Sequence, residues 1–225
     1  MAIVTLSELR TRARQRADME ATGFIKDPEL NSYINASYAE LYDLLVACFG
    51  SDYFVAPAHP FTTTPNTDKY ALPTDFYKLL GVDIKLDSIN WRTVKRFEFS
   101  ERNIPQIWDN SFYVSTRYRL NGNNILISPV PTSQAECRAW YIPLPQKLTL
   151  DSDSFSGING YEEYVIIDAA IKMLTKEESD TSQLSFDKQA LKKRIQEMAD
   201  SRDVGSPATV SDTATNYEIS GRWAY

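Results

Sequence analysis

The residues best equipped for chemistry are few and scattered. The single histidine, His59, lies in "APAHPF" between two prolines. No cysteine or second histidine stands at ligand spacing from it, so a zinc site is not expected. The two cysteines, Cys48 and Cys137, fall in an apolar helical run and an apolar strand run, and read as small unbridged core residues. Glu162/Glu163 and Glu177/Glu178 are candidate carboxylate pairs for acid–base hydrolysis. Adjacent helical residues point about 100° apart, so neither pair converges by itself. Asp168 sits inside an otherwise apolar run and needs a partner, because a lone buried carboxylate is costly; it reads as structural. The chain has no G-x-S-x-G, no phosphate-binding loop and no G-x-G-x-x-G, and "SFSGING" lacks a following Lys-Ser or Lys-Thr. Asn35-Ala36-Ser37 matches a glycosylation sequon but falls in mid-helix and is incidental. No catalytic residue, cofactor or metal ligand is assigned.

Composition narrows the classes further. The chain has 225 residues, a hydrophobic fraction of 43% and a net charge of −6. That is ordinary for a globular protein and unlike a dedicated nucleic-acid binder, which carries a basic domain or stripe. No apolar run is long enough to span a membrane, and the N-terminal stretch turns charged too early for a secretory signal. Thirteen tyrosines against eight glycines suit extensive packing surfaces, subunit interfaces included.

The elements that would position these residues come in a simple order. Thr5 and Glu8 fit a capping box opening a first helix, with Leu6, Leu9, Ala13 and Ala17 on one face and Arg10, Arg12, Arg14 and Arg16 spread around the rest. A second helix starts at Asp27-Pro28, repeats Leu30, Ile34, Tyr38, Leu41, Leu45 and Phe49, and stops at Gly50. Residues 51–150 hold seven short β-prone runs separated by turn signals, including a hairpin through Asn121-Gly122-Asn123-Asn124 and a short helix in "SERNIPQIWDN". Helical periodicity returns in "GYEEYVIIDAAIKMLTKEESD", apolar nearly all round and therefore buried, and again over roughly 184–202. The expected class is α+β: a four-helix body (1–50 and 159–203), an inserted antiparallel β-sandwich or barrel (51–150), and an extended C-terminal tail (204–225).

Three stretches carry a resemblance: "TLSELRTRARQRADME…FIKDPELNSYINASYAELYDLL", "YALPTDFYKLLGVDI", and "GYEEYVIIDAAIKMLTKEESD" followed by "LKKRIQEMADSRD". In this order they resemble the head-to-tail adaptor (connector) proteins of tailed bacteriophages, of the type called tail accessory factor, tail tubular protein A or gatekeeper. The resemblance implies a dodecameric ring under the capsid portal, in the neck of the virion. The portal would hold the C-terminal segment, a downstream nozzle or tail-tube protein would meet the other end, and genomic DNA would pass through the lumen without sequence-specific binding. No membrane, cofactor or catalytic residue is implied.

On that basis Tyr217, Ile219, Arg222, Trp223 and Tyr225 are expected to dock on the portal, and Arg10, Arg14, Tyr38, Tyr42 and Tyr164 to lie at contacts between subunits. The tail is too polar to build a core. The burial of its three terminal rings falls short of the entropy lost in ordering some twenty residues, so a partner must also supply backbone hydrogen bonds. Two other classes stay open from the residues alone: a virion-associated peptidoglycan hydrolase, with carboxylates converging from separate elements, and a host binding module using the β-block.

Overall fold

The computed structural model describes residues 3–20, 23–49, 54–101, 116–156 and 160–200. The chain is α+β, with four helices and a nearly closed, barrel-like mixed sheet among these residues. Strand β1 (Ile3–Thr5) runs straight into helix α1 (Leu6–Arg16). The capping box is present: Glu8 N donates to Thr5 Oγ1 at 3.3 Å, and Thr5 N to the Glu8 carboxylate at 3.4 Å. Helix α2 (Asp27–Phe49) follows, then the seven strands of the sheet and one further short strand, and then α3 (Glu162–Glu177) and α4 (Ser182–Asp200).

The seven strands are β2 (His59–Thr62), β3 (Lys69–Ala71), β4 (Phe76–Lys85), β5 (Trp91–Arg96), β6 (Arg117–Asn121), β7 (Asn124–Ser128) and β8 (Glu136–Pro143), one in each β-prone run. Their order across the sheet is β2-β8-β4-β5-β6-β7-β3. The expected all-antiparallel pairing is corrected at one place: β5 and β6 are parallel, Lys95 opposite Arg117. A tight hairpin can join only antiparallel neighbours, and the chain between these two strands is the long stretch 97–116. Its first turn is a 3-10 segment, Phe99–Glu101. The helix expected further along "SERNIPQIWDN" lies outside the described residues. The β6–β7 hairpin forms as expected, with Gly122 at φ 57°, a conformation that favours glycine.

The end strands β2 and β3 approach each other through the loop 63–68. Tyr70 Oη accepts from Thr64 N at 3.0 Å and donates to Thr67 O at 2.6 Å, and the Phe61 and Tyr70 rings lie 5.3 Å apart. Pro60 in β2 has no N–H to offer, and β3 has only three residues. Both features blunt an edge against adding a foreign strand.

Alternation sets the faces of the sheet. Val82, Ile84, Val94, Tyr118, Ile125, Ile127, Cys137 and Ala139 turn inward to form one core. Burial pushes the Cys137 thiol up to about 12, so its nucleophilic thiolate is scarce at neutral pH. Modification of Cys137 by a thiol reagent near neutral pH is expected to require unfolding; rapid modification of the native protein would contradict its placement.

A second core gathers residues of α1, α2, α3 and α4, among them Leu6, Leu9, Leu30, Ile34, Leu41, Val165, Ala169, Met173 and Ile195. It also takes in Phe155 of β9 (Ser154–Ser156), which pairs with β1. These two three-residue strands were not expected. Asn35 clamps the chain returning from the sheet, donating to Leu148 O at 2.9 Å and accepting from Leu148 N at 2.8 Å. The sequon asparagine is therefore engaged in structure.

Candidate interaction surfaces

The arginines of α1 have partners within the chain. Arg10 pairs with Asp151 at 2.5 Å and Asp27 at 3.4 Å. Arg14, only 7% exposed, pairs with Asp27 at 2.6 Å and donates to Ile25 O at 3.1 Å. Arg12 reaches Glu163 at 3.1 Å, and Arg16 pairs with the same carboxylate. Spread around the helix, the series ties α1 to the start of α2, to the segment before β9 and to the start of α3.

The three tyrosines assigned to contacts between subunits also pack inside the protomer. Tyr38 stacks on Phe155 with ring centres 4.5 Å apart. Tyr42 is buried against Phe54 at 4.7 Å and Tyr77 at 6.0 Å, and donates to Pro143 O at 2.6 Å. With Val46 and Ile142 it forms a small third cluster linking α2 to the sheet. Burial, aided by Tyr38, Tyr77 and Asp43, pushes the Tyr42 hydroxyl up to about 12, so it remains a donor through neutral pH. Tyr77 Oη donates to Asp43 Oδ1 at 2.8 Å alongside. Buried Tyr164 lies under the ammonium of Lys188, 5.1 Å from its ring centre.

Asp168 has the partners it needs. It is 3% exposed and receives Lys172 Nζ at 2.5 Å and Lys188 Nζ at 2.6 Å. The same ammonium groups reach Glu40 at 3.1 and 2.9 Å, and Lys172 also reaches Ser37 Oγ at 3.0 Å. The i,i+4 spacing of Asp168 and Lys172 was readable as a helical pair; Lys188, from the next helix, was not. Burial pushes the Asp168 carboxyl up, but its hydrogen bonds from Lys172, Lys188 and Ser37 outweigh that and hold it below the usual range. For Lys188, burial is likewise outweighed, here by Asp168 and Glu40, and its ammonium is held above the usual range. Two carboxylates facing two ammonium groups form a neutral staple across α2, α3 and α4, suited to structure.

Glu163 is occupied by Arg12 and Arg16, and Glu177 accepts from Ser179 at 3.0 Å. Among the described residues no helix is long and apolar enough to cross a membrane. Tyr217, Ile219, Arg222, Trp223 and Tyr225 lie outside the described residues.

A group that sequence reasoning missed covers the outside of the sheet. The Arg138 guanidinium lies between two indoles, 4.2 Å from the centre of Trp91 and 5.0 Å from that of Trp140. Asp83 Oδ2 accepts from Arg138 Nε at 3.0 Å and Trp140 Nε1 at 2.7 Å. The three strands involved are neighbours only through tertiary pairing, so no local spacing could have signalled it.

Residues 4–211 match the family model described as SU10 adaptor protein. The match takes in both the helices and the sheet, and ends before Tyr217. No curated protein matches the chain.

Proposed function

The chain belongs to the SU10 adaptor protein family, and from that premise we propose that it joins the capsid portal to the tail of a bacteriophage virion. In this reading twelve copies form a ring in the neck, and the genome leaves through its lumen. The role is structural, without catalysis. The observation that carries it is the family match over residues 4–211. The closed ring requires heterologous contacts, in which each subunit offers two different faces to its neighbours.

Arg10, Arg14, Tyr38, Tyr42 and Tyr164 contribute to the ring from inside the subunit. Arg10 and Arg14 tie α1 to the start of α2, Tyr38 and Tyr42 tie α2 to β9 and to the end of β8, and Tyr164 ties α3 to α4; the helices so fixed meet the neighbouring copies. The four-helix body supports the ring, and the sheet projects toward the next tail component.

Residues 204–225 form the strap that engages the portal, with Tyr217, Ile219, Arg222, Trp223 and Tyr225 as its anchors. Aromatic and arginine side chains dominate the binding energy of protein interfaces, and many tails on one ring act together, each further docking being intramolecular. Deletion of 205–225 is expected to leave the protomer folded by circular dichroism and to abolish its assembly onto portal-bearing heads. Trp223→Ala should weaken attachment more than Asp212→Ala. Normal attachment of the truncated protein would remove the tail from this role, and equal effects of the two substitutions would remove the aromatic anchor.

A further inference from the structure

The charge of the chain is unevenly divided. Residues 54–148 hold eleven basic and eight acidic residues, and the rest of the chain holds thirteen basic and twenty-two acidic. Strand alternation collects much of the basic excess on one surface. Val82, Ile84, Val94, Cys137, Ala139 and Tyr118 are buried, so their neighbours in each strand turn outward. Across β8, β4, β5 and β6 the outward charges are Glu136, Arg138, Lys85, Asp83, Lys95, Arg117 and Arg119.

Two of these cations are neutralised locally, Lys85 by Glu136 at 2.5 Å and Arg138 by Asp83 at 3.0 Å. The other three are not matched in the same way. Lys95 is exposed and has no partner among the described residues. Arg119 stands over the exposed ring of Phe99 at 5.1 Å, with no carboxylate paired to it among the described residues. Arg117 has Glu101 at 3.4 Å, at a partly exposed position. Lys95 and Arg117 sit opposite each other in the parallel pair, and Arg119 follows on the same face of β6. The result is a compact cationic strip on a protein that is acidic as a whole.

We propose that the outward face of β8, β4, β5 and β6 is a contact surface for the phosphate backbone of duplex DNA. This rests on the reading that the genome passes through the ring, and names the surface that meets it. The chemistry of the face favours a polyanion over a folded protein partner. Protein interfaces are anchored by apolar and aromatic side chains that insert into pockets. Here the two indoles are held by Arg138 and Asp83, and the strip around Lys95 offers Thr93, Arg117 and Arg119 instead. With its aromatic rings occupied, the face has charge to offer and little to read bases with, which suits sequence-independent backbone contact. The acidic remainder repels the same polyanion, so the field of the molecule turns this face toward it.

The test is fluorescence anisotropy of the full chain with a short labelled duplex of mixed sequence at low salt, with poly-glutamate as competitor. Neutralising about three phosphates predicts a log–log salt slope of roughly −2 to −3. Lys95→Glu/Arg119→Glu is expected to weaken binding about tenfold or more, with Lys95→Gln giving a smaller loss in the same direction. Lys193→Glu, which reverses an exposed charge on α4, should change little. Overturning results are no saturable binding at low salt, equal binding by the double variant, an equal loss in Lys193→Glu, or preferential displacement by poly-glutamate, which would point to an acidic protein partner. The portal-joining role is read separately, by attachment to heads. Absence of duplex binding by the native chain, with normal attachment to heads, would sink only this proposal.

Discussion

Asp168→Ala is expected to cost about 2–4 kcal/mol of folding stability, read as a shift in the denaturant midpoint at unchanged slope. The substitution removes the carboxylate that receives Lys172 at 2.5 Å and Lys188 at 2.6 Å. Breaking a buried ion pair by deleting one partner costs about 3–5 kcal/mol, because the other charge is left uncompensated. Here the loss is softened: both lysine side chains are 26% exposed, and Glu40 still faces them. Asp168→Asn keeps hydrogen-bonding capacity and should cost less. A double variant, Asp168→Leu/Lys188→Met, should recover part of the loss, since replacing both partners by apolar groups removes the unpaired charge. A loss from Asp168→Ala below about 0.5 kcal/mol, the level of an ordinary surface substitution, would show that the staple is a surface pair in energetic terms.

The same staple gives a pH signature. The Asp168 carboxyl is held below its ordinary value in the folded state, so its contribution is fully present above about pH 4 and is lost as pH falls through the folded value. The Lys188 ammonium is held above its ordinary value, so its contribution is present below about pH 10 and is lost as pH rises through the folded value. The stability difference between the native chain and Asp168→Ala should therefore be flat between these limits and narrow below the lower one.

What could be read from the sequence follows the range of each interaction. The capping box at Thr5 and Glu8, the periodicity of α2 and α3, and the β6–β7 hairpin depend on residues a few positions apart, and all are present. Each β-prone run holds one strand, because alternation and turn residues are local too. The neighbours of those strands are another matter. Alternation states which side chains face inward but not which strand lies alongside, so the parallel β5–β6 pairing stayed hidden. Strands β1 and β9 are too short for alternation to register. The arginines of α1 were visible as a dispersed series, while their carboxylates at Asp27, Asp151 and Glu163 come from three other places in the chain. The Trp91–Arg138–Trp140 stack and the cationic strip beside it belong to the same class: each needs the order of strands before it exists.

Tyr42→Ala is expected to produce the largest loss of any single aromatic truncation in α2, about 3–5 kcal/mol, the range for removing a buried aromatic side chain. Two separate cores stand on either side of this residue, one among the helices and one inside the sheet. The cluster of Tyr42, Val46 and Ile142, with Phe54 and Leu80 packed on it, lies where they meet. Tyr42 is its hub, in ring contact with Phe54 and Tyr77 and hydrogen-bonded to Pro143 O at the end of β8. Cooperative unfolding of the helices and the sheet depends on contacts that both lose together, and among the described residues this cluster supplies such contacts. Tyr42→Ala should thus do more than lower the midpoint: in calorimetry the native transition should separate into two. Tyr42→Phe keeps the ring and loses only the hydrogen bond to Pro143, so it should cost about 1 kcal/mol and leave one transition. A single cooperative transition in Tyr42→Ala, with a loss near that of Tyr42→Phe, would mean that the clamp of Asn35 on Leu148 couples the two cores without help from the tyrosine.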